Sequence, residues 1–280
     1  MMPAGKDVAL ATLHGKAEAL GPALSPLGFA LHVVAADTDA LGTFSGDIER
    51  PGPPAEVVVA KARLGMALSG LPLGIATEAS FGPDPVVGFM PIHHELLAFV
   101  DDARGQVLVL EHATHDTNWQ SKSVRAPEEA ESLLLASGFP AHALLVRPNV
   151  MAPGLPARKG IRTRDALAAA IRELAALSPD GRARVDTDMR AHMNPTRLRH
   201  IASLGRQLAR RLATPCPACD APGFGRTAAL AGLPCSGCGM PTGRLRAERH
   251  GCGICGHHVE VARRDGLEVA DPGECPSCNP

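Results

Sequence analysis

Eight cysteines, arranged as four C-x-x-C pairs in the last quarter of the sequence, constrain the fold of this chain more than any other feature. The pairs are separated by 15, 13 and 19 residues, and no cysteine lies outside them. A C-x-x-C turn directs two thiolates at one point, and two such turns complete the tetrahedral S4 cage that Zn²⁺ favours. The sequence therefore predicts two structural zinc ions. Their ligands are Cys216, Cys219, Cys235, Cys238, Cys252, Cys255, Cys275 and Cys278.

The last spacer, residues 256–274, favours one way of sharing the metals. Its alternating stretch His258–Ala262, its turn at Arg264–Gly266 and its return at Leu267–Ala270 predict a hairpin. A hairpin would join the third pair to the fourth as one zinc ribbon and leave the first pair with the second. A cross-braced or nested pairing is the alternative, because spacing alone does not fix connectivity.

The cellular compartment of the protein decides between metal binding and the other interpretation of the cysteines, a disulfide framework. That interpretation requires an exported chain, and the first residues lack the apolar stretch of a signal peptide. No run of 18 uncharged apolar residues occurs, so no membrane span is predicted. We therefore expect a cytoplasmic protein with reduced, metal-bound thiols.

The charge of the chain is unevenly distributed. Residues 1–150 carry 9 Lys or Arg against 17 Asp or Glu, whereas residues 151–280 carry 19 against 12. The segment 158–211, with 13 basic and 5 acidic residues, is either a nucleic-acid or phosphate contact or a solvated face that complements the acidic first half. An aromatic content of only 3% counts against recognition of single strands by base stacking.

Strand-like and helix-like segments alternate before the cysteines. This order predicts an α/β fold with a mixed central sheet flanked by helices, followed by a C-terminal tandem zinc-ribbon module. The expected boundaries are an α/β domain over residues 1–150, a linker and basic helical segment over residues 151–213, and the tandem ribbons over residues 214–280.

The first strand-to-helix turn is a candidate anion site. A short apolar strand ends in Thr12-Leu-His14-Gly-Lys16, and a helical pattern begins there. The amino terminus of a helix favours negative charge, and a lysine adds a point charge. A turn of this kind also occurs without any ligand, so the turn by itself is a weak signal.

Two further segments, Leu73–Ser80 and Asp186–Arg197, carry polar groups that could belong to a functional site. Glu78 interrupts the apolar strand Leu73–Ser80, where a carboxylate must face water or be held by a cation. The stretch Asp186–Arg197 is dense in Asp, Arg, His and Asn and indicates either a polar site or a helix start with Asn194 as the N-cap, or both. His93-His94-Glu95 is expected to be an exposed loop, because adjacent residues of a strand point to opposite faces.

Several of these motifs together resemble a bacterial family known as a domain of unknown function, over nearly the whole chain. The motifs are Thr12-x-His14-x-Lys16, Gly42-Thr-Phe-Ser-Gly46, Glu78-Ala-Ser-Phe-Gly-Pro83, Asp188–Arg197 and the four cysteine pairs. That family implies no activity.

The first 85 residues also resemble the inosine triphosphatase and Maf superfamily of house-cleaning pyrophosphatases. In those enzymes a strand and an S/T-x-N-x-x-K turn grip phosphate, a T-F pair precedes an E-N-A-x-x-K-A helix, and a strand ends in A-D-D-S-G. The similar residues here are Thr12, His14, Lys16, Thr43, Glu56, Lys61, Glu78 and Ser80. The departures are a shorter first turn, His14 in place of Asn, and one carboxylate where two are usual.

This resemblance implies Mg²⁺ held by Glu56 and Glu78, with phosphates on Thr12, Lys16 and Lys61. Arg190 and Arg197 are basic residues that can add an anion clamp. We therefore predict Mg²⁺-dependent hydrolysis of a nucleotide or related phosphate ester, with Lys16, Glu56 and Glu78 as the catalytic set. The alternatives are a non-enzymatic zinc-ribbon adaptor for nucleic acid or a protein partner, and a cysteine tail that only forms a dimer interface.

Overall fold

The structure is a computed structural model that describes residues 6–12, 15–36, 52–152 and 154–280. The chain divides into two compact units. The α/β unit comprises residues 1–100 and 109–206, and the cysteine unit comprises residues 101–108 and 207–280. No helix of the described ranges combines the length and apolarity needed to cross a bilayer.

A five-stranded sheet with the order β2-β1-β3-β4-β5 forms the first layer of the α/β unit. The strands are β1 (Lys6–Ala11), β2 (Phe29–Val34), β3 (Leu73–Pro83), β4 (Pro91–Asp101) and β5 (Gln106–Thr114), and the helices are α1 (Lys16–Leu24) and α2 (Pro54–Ser69). β1 runs parallel to both β2 and β3. The short turns after β3 and β4 require antiparallel neighbours, because parallel strands need a crossover of a dozen or more residues. The sheet is therefore mixed, as predicted.

The strand order creates a switch point between β1 and β3. From β1 the chain crosses to β2 through α1, and from β2 it returns past β1 to β3 through α2. Right-handed crossovers in opposite directions place the two helices on opposite faces of the sheet. In open α/β sheets, ligands bind beyond the carboxyl ends of strands at such a point. Continuing the register Val8↔Leu73 and Leu10↔Ile75 brings Thr12 opposite Thr77 at this edge.

Gly74 fixes the position of α2 on the sheet. A Cβ atom at this position would lie 2.7 Å from the backbone oxygen of Ala62 and 2.7 Å from the side chain of Met66. Only glycine leaves room for this approach of helix backbone to strand backbone. The contact holds α2 against β3, and Lys61, next to Ala62, consequently reaches Glu78 on that strand.

A second sheet, of order β6-β9-β7-β8, completes the α/β unit. Its strands are β6 (Ser121–Val124), β7 (Leu144–Pro148), β8 (Arg158–Ile161) and β9 (Ala183–Thr187), and its helices are α3 (Glu131–Ser137) and α4 (Arg164–Ala176). Side chains of both helices pack with the strands in one apolar core. The boundary predicted at residue 150 falls inside this sheet, between β7 and β8. Much of residues 151–213 is therefore part of the second sheet and its covering helix.

Helix α5 (Pro195–Leu212) begins as the sequence predicts for an N-cap. The Asn194 side-chain oxygen accepts a hydrogen bond from the Arg197 backbone amide at 3.0 Å, and Pro195 occupies the first helical position. Leu204 and Ile201 on its apolar stripe are fully buried. The cap sets the rotation of the first turn and so determines where Arg197 points.

The cysteine unit is built on a three-stranded antiparallel sheet of order β10-β11-β12. The strands are β10 (Gly225–Ala231), β11 (Leu245–Gly251) and β12 (His258–Ala262). Each strand carries the chain from one end of the sheet to the other. The first and third C-x-x-C turns consequently lie at one end, and the second and fourth lie at the opposite end. The expected return strand at 267–270 does not form; Ala270 instead bridges to Cys235.

Asp220 is the one described non-glycine residue with a positive φ, at 59°. The corresponding positions after the second and third cysteine pairs are Gly239 and Gly256, both at 74°. We expect Asp220→Val to lower the free energy of unfolding of the cysteine unit by about 1–2 kcal/mol, because a β-branched side chain is strained there. Asp220→Gly should change it by less than about 0.5 kcal/mol. Denaturant unfolding of the metal-loaded protein measures both, and equal effects of the two substitutions would contradict the expectation.

Candidate functional site

A cluster of buried charged side chains lies just beyond the carboxyl end of β1, beside Thr77 and Glu78 of β3, where the topology predicts a ligand. Its members come from α1, α2, β3, β4 and α5, and each is at most 8% exposed. They are Lys16, Lys61, Glu78, His93, Glu95 and Arg197. With His93 neutral, three cations face two carboxylates, so the cluster has a formal excess of one positive charge. Burying this many charges lowers the stability of the fold, and clusters of buried titratable groups are typical of functional sites.

One pair within the cluster joins α2 to β3. The Nζ of Lys61 donates to Oε2 of Glu78 at 2.7 Å, and both side chains are nearly inaccessible to solvent. The sequence left Glu78 either facing water or held by a cation, and Lys61 is the cation that holds it. The pair depends on the close packing of α2 at Gly74 described above.

A second pair joins β4 to α5. Arg197 donates from Nε to Oε2 of Glu95 at 2.9 Å and from Nη2 to Oε1 at 3.0 Å. His93, two residues earlier on β4, lies 2.9 Å from the same Oε2. Burial by itself raises the pKa of Glu95, but the charge of Arg197 and the hydrogen bonds from His93 and Arg197 outweigh it and lower the pKa to about 2. Glu95 is therefore an ionised carboxylate at neutral pH.

Lys16 is the cation of the cluster that lacks a carboxylate partner among the described residues. Its Nζ donates to the backbone oxygen of Thr77 at 3.2 Å. Burial lowers the pKa of Lys16 to about 8, and the positive charge of Arg197 adds to this effect, while Glu95 and Glu78 act against it. Thr77 beside it contributes a buried hydroxyl that has no hydrogen-bond partner in the described part of the chain. An ammonium group and a hydroxyl are thus available to a ligand at this edge.

The remaining residues of the first motif set are placed unevenly. Thr12 is 2% exposed and follows β1 directly, and Ser80 is half-buried on β3, two residues beyond Glu78. Glu56 is exposed on the first turn of α2. Five residues along a helix correspond to about 500°, so Glu56 and Lys61 project from different sides of α2. His14, Thr43 and the motif Gly42–Gly46 lie outside the described residues.

Arg190 and Arg197 do not form the clamp predicted for them. Arg190 binds Asp188 with Nη2 to Oδ2 at 2.6 Å and Nε to Oδ1 at 2.9 Å, while Arg197 binds Glu95. Asp188 also accepts from the backbone amide of Gly160 at 3.0 Å. The two guanidinium groups are therefore anchored to different carboxylates, and of the two only Arg197 belongs to the buried cluster.

The residues that the resemblance assigns to Mg²⁺ do not fit a magnesium site here. Glu78 is bound to Lys61, Glu56 is exposed elsewhere on α2, and the described residues contain no group of three acidic or histidine ligands in one place. Mg²⁺ requires near-octahedral oxygen ligation with at least one or two carboxylates free to bind it. The expectation that Glu56 and Glu78 share a magnesium ion is not met by this arrangement.

His93 and Glu95 correct a second expectation. They lie on β4 rather than in an exposed loop, and they are 1% and 0% exposed. The signal that could have found them is the two-residue period of a strand, which places His93 and Glu95 on one face and His94 on the other. The His93 ring contacts that of His200 on α5, with centroids 5.3 Å apart, and His200 lies 3.2 Å from His112 between Nδ1 and Nε2.

The eight cysteines form two cages, and each can hold one metal ion. The first contains Cys216, Cys219, Cys252 and Cys255, and the second contains Cys235, Cys238, Cys275 and Cys278. Neighbouring sulfur atoms are 3.6–3.8 Å apart. A tetrahedral ion with metal–sulfur bonds of about 2.3 Å requires sulfur atoms about 3.8 Å apart, whereas a disulfide requires about 2.05 Å. The spacing fits a metal cage and excludes disulfides.

These cages overturn the favoured pairing of the cysteine turns. The first pair shares its cage with the third and the second with the fourth, so the cross-braced alternative is the one found. The reason is the number of strands in each spacer. A hairpin would return the chain to the end it left, but each spacer contributes a single strand and delivers the next pair to the opposite end.

The turns that hold the sulfurs repeat one hydrogen-bond pattern. In the first three, the amide two residues after the leading cysteine donates to its Sγ, at 3.3–3.4 Å. The amide four residues after that cysteine donates to its backbone oxygen. Amide donors of this kind stabilise the thiolate form that a metal requires.

Residues 61–280 match the model of the family described as Domain of unknown function (DUF6671). Searches of curated proteins and of solved structures found no significant match. The matched region begins within α2 at Lys61 and includes the strands with Glu78 and Glu95, α5 with Arg197 and all eight cysteines. Since it covers well over half of the 280 residues, this chain belongs to the DUF6671 family.

Proposed function

We propose that the α/β unit binds a small phosphorylated molecule, a nucleotide or related phosphate ester, at the carboxyl ends of β1 and β3 and hydrolyses it. The observation that carries the proposal is Lys16, a buried ammonium group without a carboxylate partner in the described chain, at the switch point of the sheet. A phosphate supplies a negative charge to Lys16 that no carboxylate of the described residues supplies by a direct ion pair. The amino terminus of α1 adds a favourable dipole.

The proposed reaction is attack of water on a phosphorus atom, with cleavage of the P–O bond to the leaving group. Negative charge grows on the phosphate oxygens and the leaving oxygen during such a step. Lys16 and Lys61 neutralise that charge from fixed positions in a water-poor site, where each charge acts more strongly than in solvent. Glu95 positions Arg197, and the Arg197 charge raises the positive potential of the site.

A nucleotide panel tests the proposal. Purified wild type should release phosphate or pyrophosphate from at least one nucleoside triphosphate or sugar phosphate, assayed with and without added Mg²⁺. Lys16→Met should lower kcat/KM by about 100-fold or more, since it removes a charge from the transition state. Lys159→Met, which alters an exposed lysine of the same unit, is the matched control. Full activity of Lys16→Met would remove this site from the reaction.

We propose that the metal in both cages is zinc. The S4 ligand set, the tetrahedral spacing of the sulfur atoms and the closed coordination sphere favour Zn²⁺ in a structural role. Thiolates kept in metal cages also favour a reducing compartment, which supports a cytoplasmic location.

The adaptor remains the second candidate, and charge decides which partner it would take. The cysteine unit carries nine arginines against nine Asp or Glu. Two Zn²⁺ ions with four thiolates each add two charges of −2, so the loaded unit is net negative. Of the 13 basic residues of 158–211, six are ion-paired, and all six lie in the α/β unit. A protein partner therefore suits the cysteine unit better than nucleic acid does. We expect the protein to bind duplex DNA or RNA only weakly and in a salt-sensitive way.

A further inference from the structure

Lys61 and Glu78 form an ion pair in the protein without ligand. Their atoms are 2.7 Å apart, and the side chains are 8% and 9% exposed. A buried lysine needs a counterion, because an unpaired charge in the interior is strongly unfavourable. Glu78 supplies that counterion. The same carboxylate stands beside the place proposed for a phosphate.

A phosphate at this edge and the Glu78 carboxylate oppose each other. Like charges a few ångströms apart repel each other strongly when they are shielded from bulk water. A divalent cation between them would remove the repulsion, but among the described residues Glu78 is part of no group of three acidic or histidine ligands. The alternative is that the phosphate takes Lys61 from Glu78.

We propose that Glu78 competes with the ligand for Lys61. Glu78 binds Lys61 in the free protein, and a phosphate group that is not complexed by a divalent metal displaces Glu78 from Lys61. The incoming phosphate is then bound by Lys16 and Lys61 together. This inference rests on the proposed function and narrows its ligand to a metal-free polyanion. Inorganic pyrophosphate is a simple probe of that class.

Isothermal titration of the full-length, zinc-loaded protein with pyrophosphate tests the inference. In buffer without divalent cations, Glu78→Gln should bind pyrophosphate about tenfold more tightly than wild type or better, because the competing charge is gone. Excess Mg²⁺ should weaken binding by both proteins. Glu111→Gln removes the same charge from an exposed position of β5 and should leave the affinity unchanged.

A metal-ligand role for Glu78 predicts the reverse pattern. Binding would then require Mg²⁺, and Glu78→Gln would weaken it; either that result or equal affinities would overturn the inference. If Glu78→Gln does not fold, Glu78→Asp retracts the carboxylate by one methylene and should still bind more tightly than wild type. If the wild type hydrolyses a nucleotide but Glu78→Gln shows no gain in pyrophosphate affinity, only the proposed competition by Glu78 is refuted. Absence of both binding and turnover refutes the proposed function as well.

Discussion

Lys16→Met should make the α/β unit more stable at pH 7, by about 2 kcal/mol. The pKa of Lys16 is lowered from 10.5 to about 8, so keeping the buried ammonium charged costs about 3 kcal/mol. The substitution removes this cost but also removes the hydrogen bond to Thr77, which contributes about 1 kcal/mol. Methionine has nearly the length of lysine without the charge. A residue whose removal stabilises the fold is retained for another reason, and binding an anion is the reason we propose.

The pH dependence of this effect has a definite sign. Because the folded pKa lies below the unfolded pKa, the unfolded chain binds more protons between pH 8 and 10.5, and wild-type stability rises with pH in that window. The advantage of Lys16→Met should be constant below pH 8 and should shrink as the pH rises towards 10. Fluorescence of Trp119, the single tryptophan, reports unfolding of this unit. Loss of stability in Lys16→Met at pH 7 would show that the lysine is a structural residue.

Removing cysteine pairs should reveal the cross-braced cages through metal content. A variant with serine at the first and third pairs should retain one zinc per chain, because its second cage is complete. A variant with serine at the first and second pairs should retain none, because each cage has lost half its ligands. Structural zinc sites contribute about 10–16 kcal/mol of apparent binding energy, so we expect the second variant to lose the fold of the cysteine unit.

The side-by-side ribbon arrangement gives the opposite stoichiometry. There, replacing the first and second pairs would spare one ion, and replacing the first and third would lose both. Elemental analysis of the two variants, with wild type at two zincs per chain, separates the arrangements. Amide hydrogen exchange should show that residues 207–280 lose protection when a chelator removes the metal, while β1 and β3 keep theirs.

Local patterns revealed part of the candidate site and missed the rest. Lys16 and Glu78 were found because a strand, a turn and a helix start are local signals, and because a lone carboxylate stands out in an apolar strand. Glu95 pairs with Arg197 from 102 residues away, so no local window contains both. The two-residue period of β4 nevertheless carried usable information, since it places His93 and Glu95 on the same face.

The metal cages show the same division between local and distant information. The ligands were predictable because C-x-x-C turns are local, but the pairing depended on whether a spacer holds one strand or two. The last spacer was predicted to hold two, and it holds one, with Ala270 at a bridge to Cys235 instead of in a return strand. The mixed sheet was predictable from alternating strands and helices, whereas the order β2-β1-β3 was not.

The interleaving of the two cages imposes an order on biosynthesis. A ribosome must have released Cys255 before the first ion can be fully enclosed, and by then Cys235 and Cys238 have already emerged and wait for partners. The second ion must wait until Cys278 is made. The number of ions held by a nascent polypeptide would therefore record how far its translation has advanced, and a chain stopped between Cys255 and Cys275 would carry a half-built cage exposed to oxidation.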